Sequence, residues 1–344
     1  MRLSRALATA SLVLLFGLTT AAPADEVVLI PNSTVKATGN RVRGTVTAET
    51  PTEVKVDAQS VPVDQIATIN YTGEPASLTL AKSREANGAL TEALDQYQKA
   101  AGEAAGKEFI VRAIQFSRAS IMADLAEGDP SKIPQATDAL EGFIKANGSS
   151  RQLGPALEAL AKLQIQKGDF DKAARTLADL SKLAWAADRA GVLQARVLAR
   201  RGQFDQAIVA LDKMLASAPK DSDKYREAQL AKAESLAGLK KFDEAEKTVL
   251  AVIKAAPPED AEAQSLAYNT LGDCLRAAGR PKDALMAYLH TDILFSKDKE
   301  QHARALSQIA QLWRELRRDD RAEETLDRLK QDYPNSPWLT AGKK

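Results

Sequence analysis

The chain has 344 residues, 44% of them hydrophobic, with 47 Lys and Arg against 46 Asp and Glu and a single cysteine, Cys274. So even a charge balance gives no field for gathering a phosphate backbone or an anionic lipid surface, and nucleic acid is not an expected partner. One cysteine excludes an intramolecular disulfide, so the fold must be held by packing.

The first 24 residues read as a secretory signal peptide. Arg2 and Arg5 precede an apolar run from Ala6 to Leu18, and small residues continue to Ala24. Ala22 and Ala24 supply the small side chains that place cleavage after Ala24. A retained membrane anchor is the rival reading, but the run is shorter than the roughly 20 residues that span a bilayer. Removing Arg2 and Arg5 with the leader moves the net charge from +1 to −1. No cysteine lies near residue 25 to take a lipid, and no later segment approaches spanning length. The expectation is an exported, soluble protein of the bacterial periplasm.

Residues 25–73 alternate with period two and are rich in Val, Ile and Thr. Strands are expected at Val27–Ile30, Thr34–Ala37, Arg41–Ala48, Glu53–Val56 and Val61–Tyr71, the last irregular near Asp64. Five strands in so short a stretch suggest a small all-β barrel packed against the first helices. The runs Val42–Glu49, Glu53–Val56 and Ile66–Ile69 resemble SH3-like or Sm-like barrels. Thr72-Gly73-Glu74-Pro75 marks a boundary, with Pro75 placed to open a helix.

From Ala76 the apolar period becomes that of amphipathic helices. A small residue recurs at Ala93, Ala139, Ala173, Ala207, Ala245, Ala284 and Ala322, each followed four residues later by a larger apolar one: Tyr97, Phe143, Leu177, Leu211, Val249, Tyr288 and Leu326. Intervals of 34 to 46 residues correspond to one pair of antiparallel helices, too short to bury its own stripe, so units must stack into a solenoid. The expected units are 76–106, 107–150, 151–185, 186–222, 223–260, 261–298 and 299–338.

The turns are clearest in Gly168-Asp169-Phe170-Asp171-Lys172-Ala173, Gly202-Gln203-Phe204-Asp205-Gln206-Ala207 and Gly279-Arg280-Pro281-Lys282-Asp283-Ala284. Gly ends the first helix in the left-handed region, the aromatic plugs the gap, and Asp opens the next helix. Ala must be small where two helices cross closely. Lys240 and Arg317 replace the Gly in the fifth and seventh units. The second unit is stretched around Gly128–Pro134, read as a loop.

These residues resemble the tetratricopeptide repeat, most fully in the sixth unit, where Tyr268, Leu271, Gly272 and Leu275 fill the large, large, small and large slots of the first helix. The resemblance covers residues 76–336 and implies a mostly α fold, a right-handed superhelix of about seven hairpins with a concave groove lined by each first helix. It implies a non-catalytic protein–protein interaction scaffold, here of the bacterial cell envelope. The alternative is a structural or self-assembling envelope component using the β domain or repeat ends.

Residues spaced four and then three apart would share the groove face. They are Glu158, Lys162 and Ile165; Val192, Arg196 and Ala199; Asn269, Asp273 and Arg276; and Ser307, Gln311 and Arg314. By the resemblance, Asn269 would hold a peptide backbone, while Lys162, Arg196, Arg276 and Arg314 could serve an acidic partner. Both readings of these positions stand at this stage: groove contacts, or charges on a solvated helical face. Arg314, Arg317, Arg318 and Arg321 are interleaved with acids and read as surface ion pairing.

His290 and His302 offer only a loose metal-ligand spacing and read as structural, as does Cys274, which has no base beside it. Trp185 and Trp338 read as packing residues, the latter capping the last unit. No phosphate loop, zinc-protease pair, nucleophile elbow or dinucleotide fingerprint occurs. Neither catalysis, a metal nor a cofactor is expected.

Overall fold

The computed structural model describes residues 24–334, 336 and 338–341, so the expected leader, apart from Ala24, lies outside the described residues. Six short strands come first: β1 (Asp25–Leu29), β2 (Arg41–Gly44), β3 (Val46–Glu49), β4 (Glu53–Val56), β5 (Gln59–Pro62) and β6 (Ile66–Asn70). They form two antiparallel sheets, ordered β2-β1-β6 and β3-β4-β5, in place of the expected closed barrel. No strand occupies 34–37; the nearest pairing is an isolated bridge between Thr38 and Arg41.

The strand expected over Arg41–Ala48 breaks at Thr45 because carboxylates take the amides that a ladder would use. Asp57 Oδ1 accepts the Thr45 N–H at 2.9 Å, and Asp25 Oδ2 accepts that of Val46 at 2.8 Å. The two sheets therefore part where a barrel would have closed.

Burying a Val side chain contributes about 1.5–3 kcal/mol, and sheets this small bury few. The apolar cluster of Val27, Val42, Val54 and Ile69 instead continues into Leu78, Tyr97, Ile110 and Ile121 of the first three helices. Glu49 straps the β region to the helices. Its buried carboxylate accepts from the Tyr71 hydroxyl and lies 3.3 Å from Arg151 Nε and 3.7 Å from Arg112 Nη1. Trp185, further along the chain, donates its indole N–H to the Pro51 carbonyl at 2.9 Å.

Seven helical pairs follow. They are α1 (Ala76–Ala86) with α2 (Leu90–Glu103), α3 (Glu108–Gly128) with α4 (Ile133–Ala146), α5 (Leu153–Lys167) with α6 (Phe170–Leu180), α7 (Ala187–Arg200) with α8 (Phe204–Ser217), α9 (Asp223–Gly238) with α10 (Phe242–Ala255), α11 (Ala261–Ala277) with α12 (Pro281–Leu294), and α13 (Lys299–Glu315) with α14 (Asp319–Asp332). A short α15 (Trp338–Ala341) ends the described chain.

One turn geometry recurs in six pairs. The N–H groups of Ala89, Asp169, Gln203, Lys241, Arg280 and Arg318 each donate to the carbonyl five residues back, at 2.8–3.0 Å. That closure places the preceding residue in the left-handed region, with φ of 76° at Gly88, 86° at Gly168, 77° at Gly202 and 72° at Gly279. Lys240 (φ 59°) and Arg317 (φ 61°) adopt it without being glycine, so losing the Gly left the turn unchanged.

Ala93, Ala173, Ala207, Ala245, Ala284 and Ala322 are wholly buried, which lets paired helices cross closely. The second pair departs from the expected register. Ala139 is only half-buried; Ala136 and Leu140 fill the crossing positions assigned to Ala139 and Phe143. The error arose from reading the extra residues as a loop. Most of them lengthen α3, whose 21 residues run to Gly128, and a single 3-10 turn at Pro130–Lys132 leads into α4.

The last pair returns to the first two. Lys299 Nζ donates to the Ala86 carbonyl at 3.2 Å, and α15 packs against α3 as well as α13. The row of helix pairs is thereby closed into a ring.

Candidate partner-binding cavity

The first helices of successive pairs stack directly on one another, α3 on α5, α5 on α7, α7 on α9, α9 on α11 and α11 on α13. They form the inner layer of the ring. Within it lies a cavity of about 1350 Å3, lined by side chains of α5, α7, α9, α11 and α13, by Glu127 of α3 and by Trp338.

Of the expected groove residues, Lys162, Arg196 and Asp273 line this cavity, together with Glu158, Ile165, Val192 and Ala199. Lys162 Nζ lies 3.0 Å from Glu158, and Arg196 Nε 3.6 Å from Glu234. Asp273 accepts the Tyr288 hydroxyl at 2.5 Å and pairs with Arg304. The basic side chains are thus matched by carboxylates, on the same helix for Lys162 and on a neighbouring one for Arg196, so these residues do not present a plain basic surface to an acidic partner.

Asn269 is not a groove residue. It is wholly buried, donating to Gln301 O and Oε1 at 3.0 Å each and accepting from the Thr291 hydroxyl at 2.9 Å. Its amide ties α11 to α12 and α13, where it leaves no group for a peptide backbone. Ser307 is likewise buried. Arg276 lies beyond the cavity lining, donating to Gln308 and Gln311 at 2.8 and 3.0 Å and facing Glu315 at 3.7 Å. Gln311 and Arg314 share that position near the far end of α13, outside the lining.

The cavity also uses residues that the spacing rule stopped short of. Arg189 and Arg200 on α7, Glu262 on α11 and Arg304 on α13 continue the same faces by one or two turns, and α9, to which no groove position was assigned, contributes Glu227 and Glu234. Arg189 Nε lies 2.7 Å from Glu158. Burial opposes the charge on Arg189 and Arg304, but the carboxylates of Glu158 and Asp273 respectively outweigh it and hold each guanidinium more firmly protonated.

Carboxyls crowd one side of the cavity. Asp124 is exposed to solvent, at the rim of a smaller pocket between α3 and α5. Burial first, then the charges of Glu127, Glu300 and Glu85, push its carboxyl up to about 7 against the opposing Lys162. Glu127 and Glu262 are raised for the same leading reason, burial, with Glu300 and Asp298 respectively the nearest like charges in effect.

The remaining candidates are structural. His302 is buried between Asp292 Oδ1 at 2.8 Å and the Tyr333 hydroxyl at 2.6 Å, and Arg328 grips Asp292 at 2.8 and 3.1 Å. Burial raises the Asp292 carboxyl, but the hydrogen bonds from His302 and Arg328 prevail and hold it near about 2. His290 lies flat on Tyr268, ring centroids 4.6 Å apart, and bonds its own helix at Met286 O. Cys274 is buried, and burial, reinforced by Asp273, pushes its thiol up to about 12. Arg318 and Arg321 pair with Asp320 and Glu324. Trp338 sits half-buried with Leu326, Tyr333 and Leu339 on the last pair. Among the described residues no group of His, Cys, Asp or Glu is arranged to hold a metal, and no helix is long and apolar enough to cross a membrane.

Tetratricopeptide repeat models match residues 158–222, 198–269 and 304–336. No curated protein matches the chain. Solved structures to which the chain is similar include a tetratricopeptide repeat protein from Parabacteroides merdae, 14% identical with a TM-score of 0.47 over 78% of this chain and 98% of that one. A Rap protein complexed with competence and sporulation factor is 14% identical, with a TM-score of 0.47 and 76% of each chain covered. A tetratricopeptide repeat protein of Thermus thermophilus is 19% identical, with a TM-score of 0.40 over 52% of this chain and 91% of that one. Within residues 158–269 and 304–336 the helical pairs match tetratricopeptide repeat models, and the seven pairs stack as a solenoid.

Proposed function

We propose that this tetratricopeptide-repeat chain is a non-catalytic interaction scaffold of the bacterial cell envelope, holding a segment of a protein or peptide partner inside its ring. The observation that carries this reading is the cavity. At about 1350 Å3 it exceeds the roughly 300–1,000 Å3 of small-molecule pockets, and five successive repeats contribute to it. Its lining is dominated by side chains of both signs, with Arg189 and Arg196 on α7 paired to Glu158 on α5 and Glu234 on α9. A peptide of mixed charge would replace those internal pairs with its own, and charge-assisted hydrogen bonds of that kind contribute about 1.5–3 kcal/mol each. The order of basic, apolar and small residues over 1–24 supports the envelope placement and periplasmic localisation.

The test is charge reversal inside and outside the cavity. Using the partner recovered by crosslinking in the native envelope, Arg196→Glu is expected to weaken binding about tenfold or more, while Arg276→Glu leaves it unchanged. Equal affinities for both variants and the wild type would contradict the assignment.

A second reading, homotypic assembly, is favoured by one feature. Met286, Ile293 and Leu294 leave large apolar surface exposed along α12. The repeat ends meet each other within the chain, so the outer face of α12 would be the place for such contacts. A concentration-dependent oligomer in sedimentation, abolished by Ile293→Glu, would favour it.

A further inference from the structure

The inner layer carries a second, smaller recess beside the central cavity. Residues spaced three or four apart put Phe116, Ser120 and Ala123 on the side of α3 that meets α5, and Pro155, Ala159 and Leu163 on the side of α5 that meets α3. Ser120, Ala123 and Ala159 are small, so the two helices leave a pocket of about 170 Å3 between them. Phe116 forms part of its wall and is held there by Phe143 of α4, ring centroids 5.6 Å apart. Ala123 and Leu163 are buried in the same lining. The volume lies below the roughly 300–1,000 Å3 of a small-molecule pocket and suits a single side chain. The recess adjoins the central cavity, with which it shares Glu127, Glu158 and Lys162.

Its polar rim is unevenly charged: the carboxyls of Asp124, Glu127 and Glu158 meet one ammonium, that of Lys162. Glu158 is already engaged, by Lys162 Nζ at 3.0 Å and Arg189 Nε at 2.7 Å. Asp124 and Glu127 stand one turn apart on α3, and among the described residues neither carboxyl pairs with a cation. Arg304, the other cation near Glu127, is paired with Asp273. Asp124 is exposed and Glu127 half-buried, so both can be reached from outside. The recess is thus apolar within and acidic at its mouth. Lysine and arginine have the matching form, an aliphatic stem that buries and a charged head that stays in water. An acidic side chain would add to the repulsion at the rim, and an aliphatic one would leave both carboxylates unpaired.

We propose that this recess is a subsite for one basic side chain of the partner segment, its stem lying along Phe116, Ala123 and Leu163 and its charged head between Asp124 and Glu127. The inference rests on the reading that such a segment occupies the central cavity, and it gives that segment a required feature: a Lys or Arg placed to reach the α3–α5 side. Lys162 stays with Glu158, so no internal ion pair has to break for the side chain to enter.

Two probes test the subsite on the full chain at about pH 8. The first is Nα-acetyl-lysine methylamide, followed by nuclear magnetic resonance of isotope-labelled alanine methyl groups. It should move the Ala123 signal saturably, and the norleucine analogue, which has the stem without the charge, should bind at least about tenfold more weakly. Asp124→Asn combined with Glu127→Gln should remove that difference. Ala159→Leu, which fills the recess and keeps both carboxyls, should abolish the shift. Equal binding of the two derivatives overturns the subsite. So does a lysine-induced shift that survives in Ala159→Leu, which would mean attraction to an open helix face. The second probe is a set of short peptides with Lys, Arg, norleucine or Asp fixed at the central position and the other positions randomised. The Lys and Arg pools should be retained over the other two by about tenfold. Peptides retained without that preference overturn the subsite and leave the scaffold reading intact, whereas a lysine-specific Ala123 shift with no peptide retained contradicts the scaffold reading alone.

Discussion

A single methyl group tests how tightly these repeats are packed. A Cβ on Gly272 would lie 2.5 Å from the Tyr288 ring, whereas one on Gly142 would meet nothing within 4 Å. Tyr288 is wholly buried and its hydroxyl is committed to Asp273, so the ring has nowhere to move. Gly272→Ala should therefore destabilise the protein by about 1–3 kcal/mol. Gly142→Ala, which removes a helix-interior glycine at no steric cost, should stabilise it by about 0.5–1 kcal/mol. Urea denaturation of both variants checks the pair; equal effects would mean that Gly272 has room the structure denies it. The sequence carried the Gly272 signal through its small-residue slot. It carried no such signal for Asn269, because an asparagine that clasps three helices and one that binds a peptide occupy the same helical position. Only the placement of Gln301 and Thr291 decides between them.

The turns show how far an element can be inferred from its residues. Four of the six recurrent turns hold glycine at the left-handed position; Lys240 and Arg317 take the same backbone at a steric cost of about 1–2 kcal/mol each. Lys240→Gly and Arg317→Gly should each raise stability by up to about 1 kcal/mol, since part of that relief is offset by the greater freedom of glycine in the unfolded chain. Thermal melts showing lower stability in either variant would place those turns in another conformation. Periodicity marked all seven pairs because each repeats the same solution to burying one stripe. It failed where local composition left two solutions equally good. The residues after α3 suit a longer helix as well as a loop, and the choice shifts the crossing alanine from Ala139 to Ala136. In the β region the alternation located strands, but Asp25 and Asp57 capture the amides of Val46 and Thr45 from a distance, and alternation is blind to such contacts.

At the scale of the whole molecule, the sequence foretold stacking and an inner face but not closure. The contacts that close the ring join residues more than two hundred positions apart, as in Lys299 and Ala86, and no repeat pattern encodes them. Closure turns an open groove into a cavity whose inner and outer walls are chemically distinct: Leu266 and Ile165 face inward with the charged side chains, while Val209 and Met286 face solvent on the second helices. That difference can be read in living cells by replacing one residue of each kind with a photoreactive amino acid and recording where a protein adduct forms. Adducts from Leu266 and Ile165, with none from Val209 or Met286, are the result expected of a scaffold that works from its interior. Adducts confined to Val209 and Met286 would contradict it, and would make the outer surface the working face.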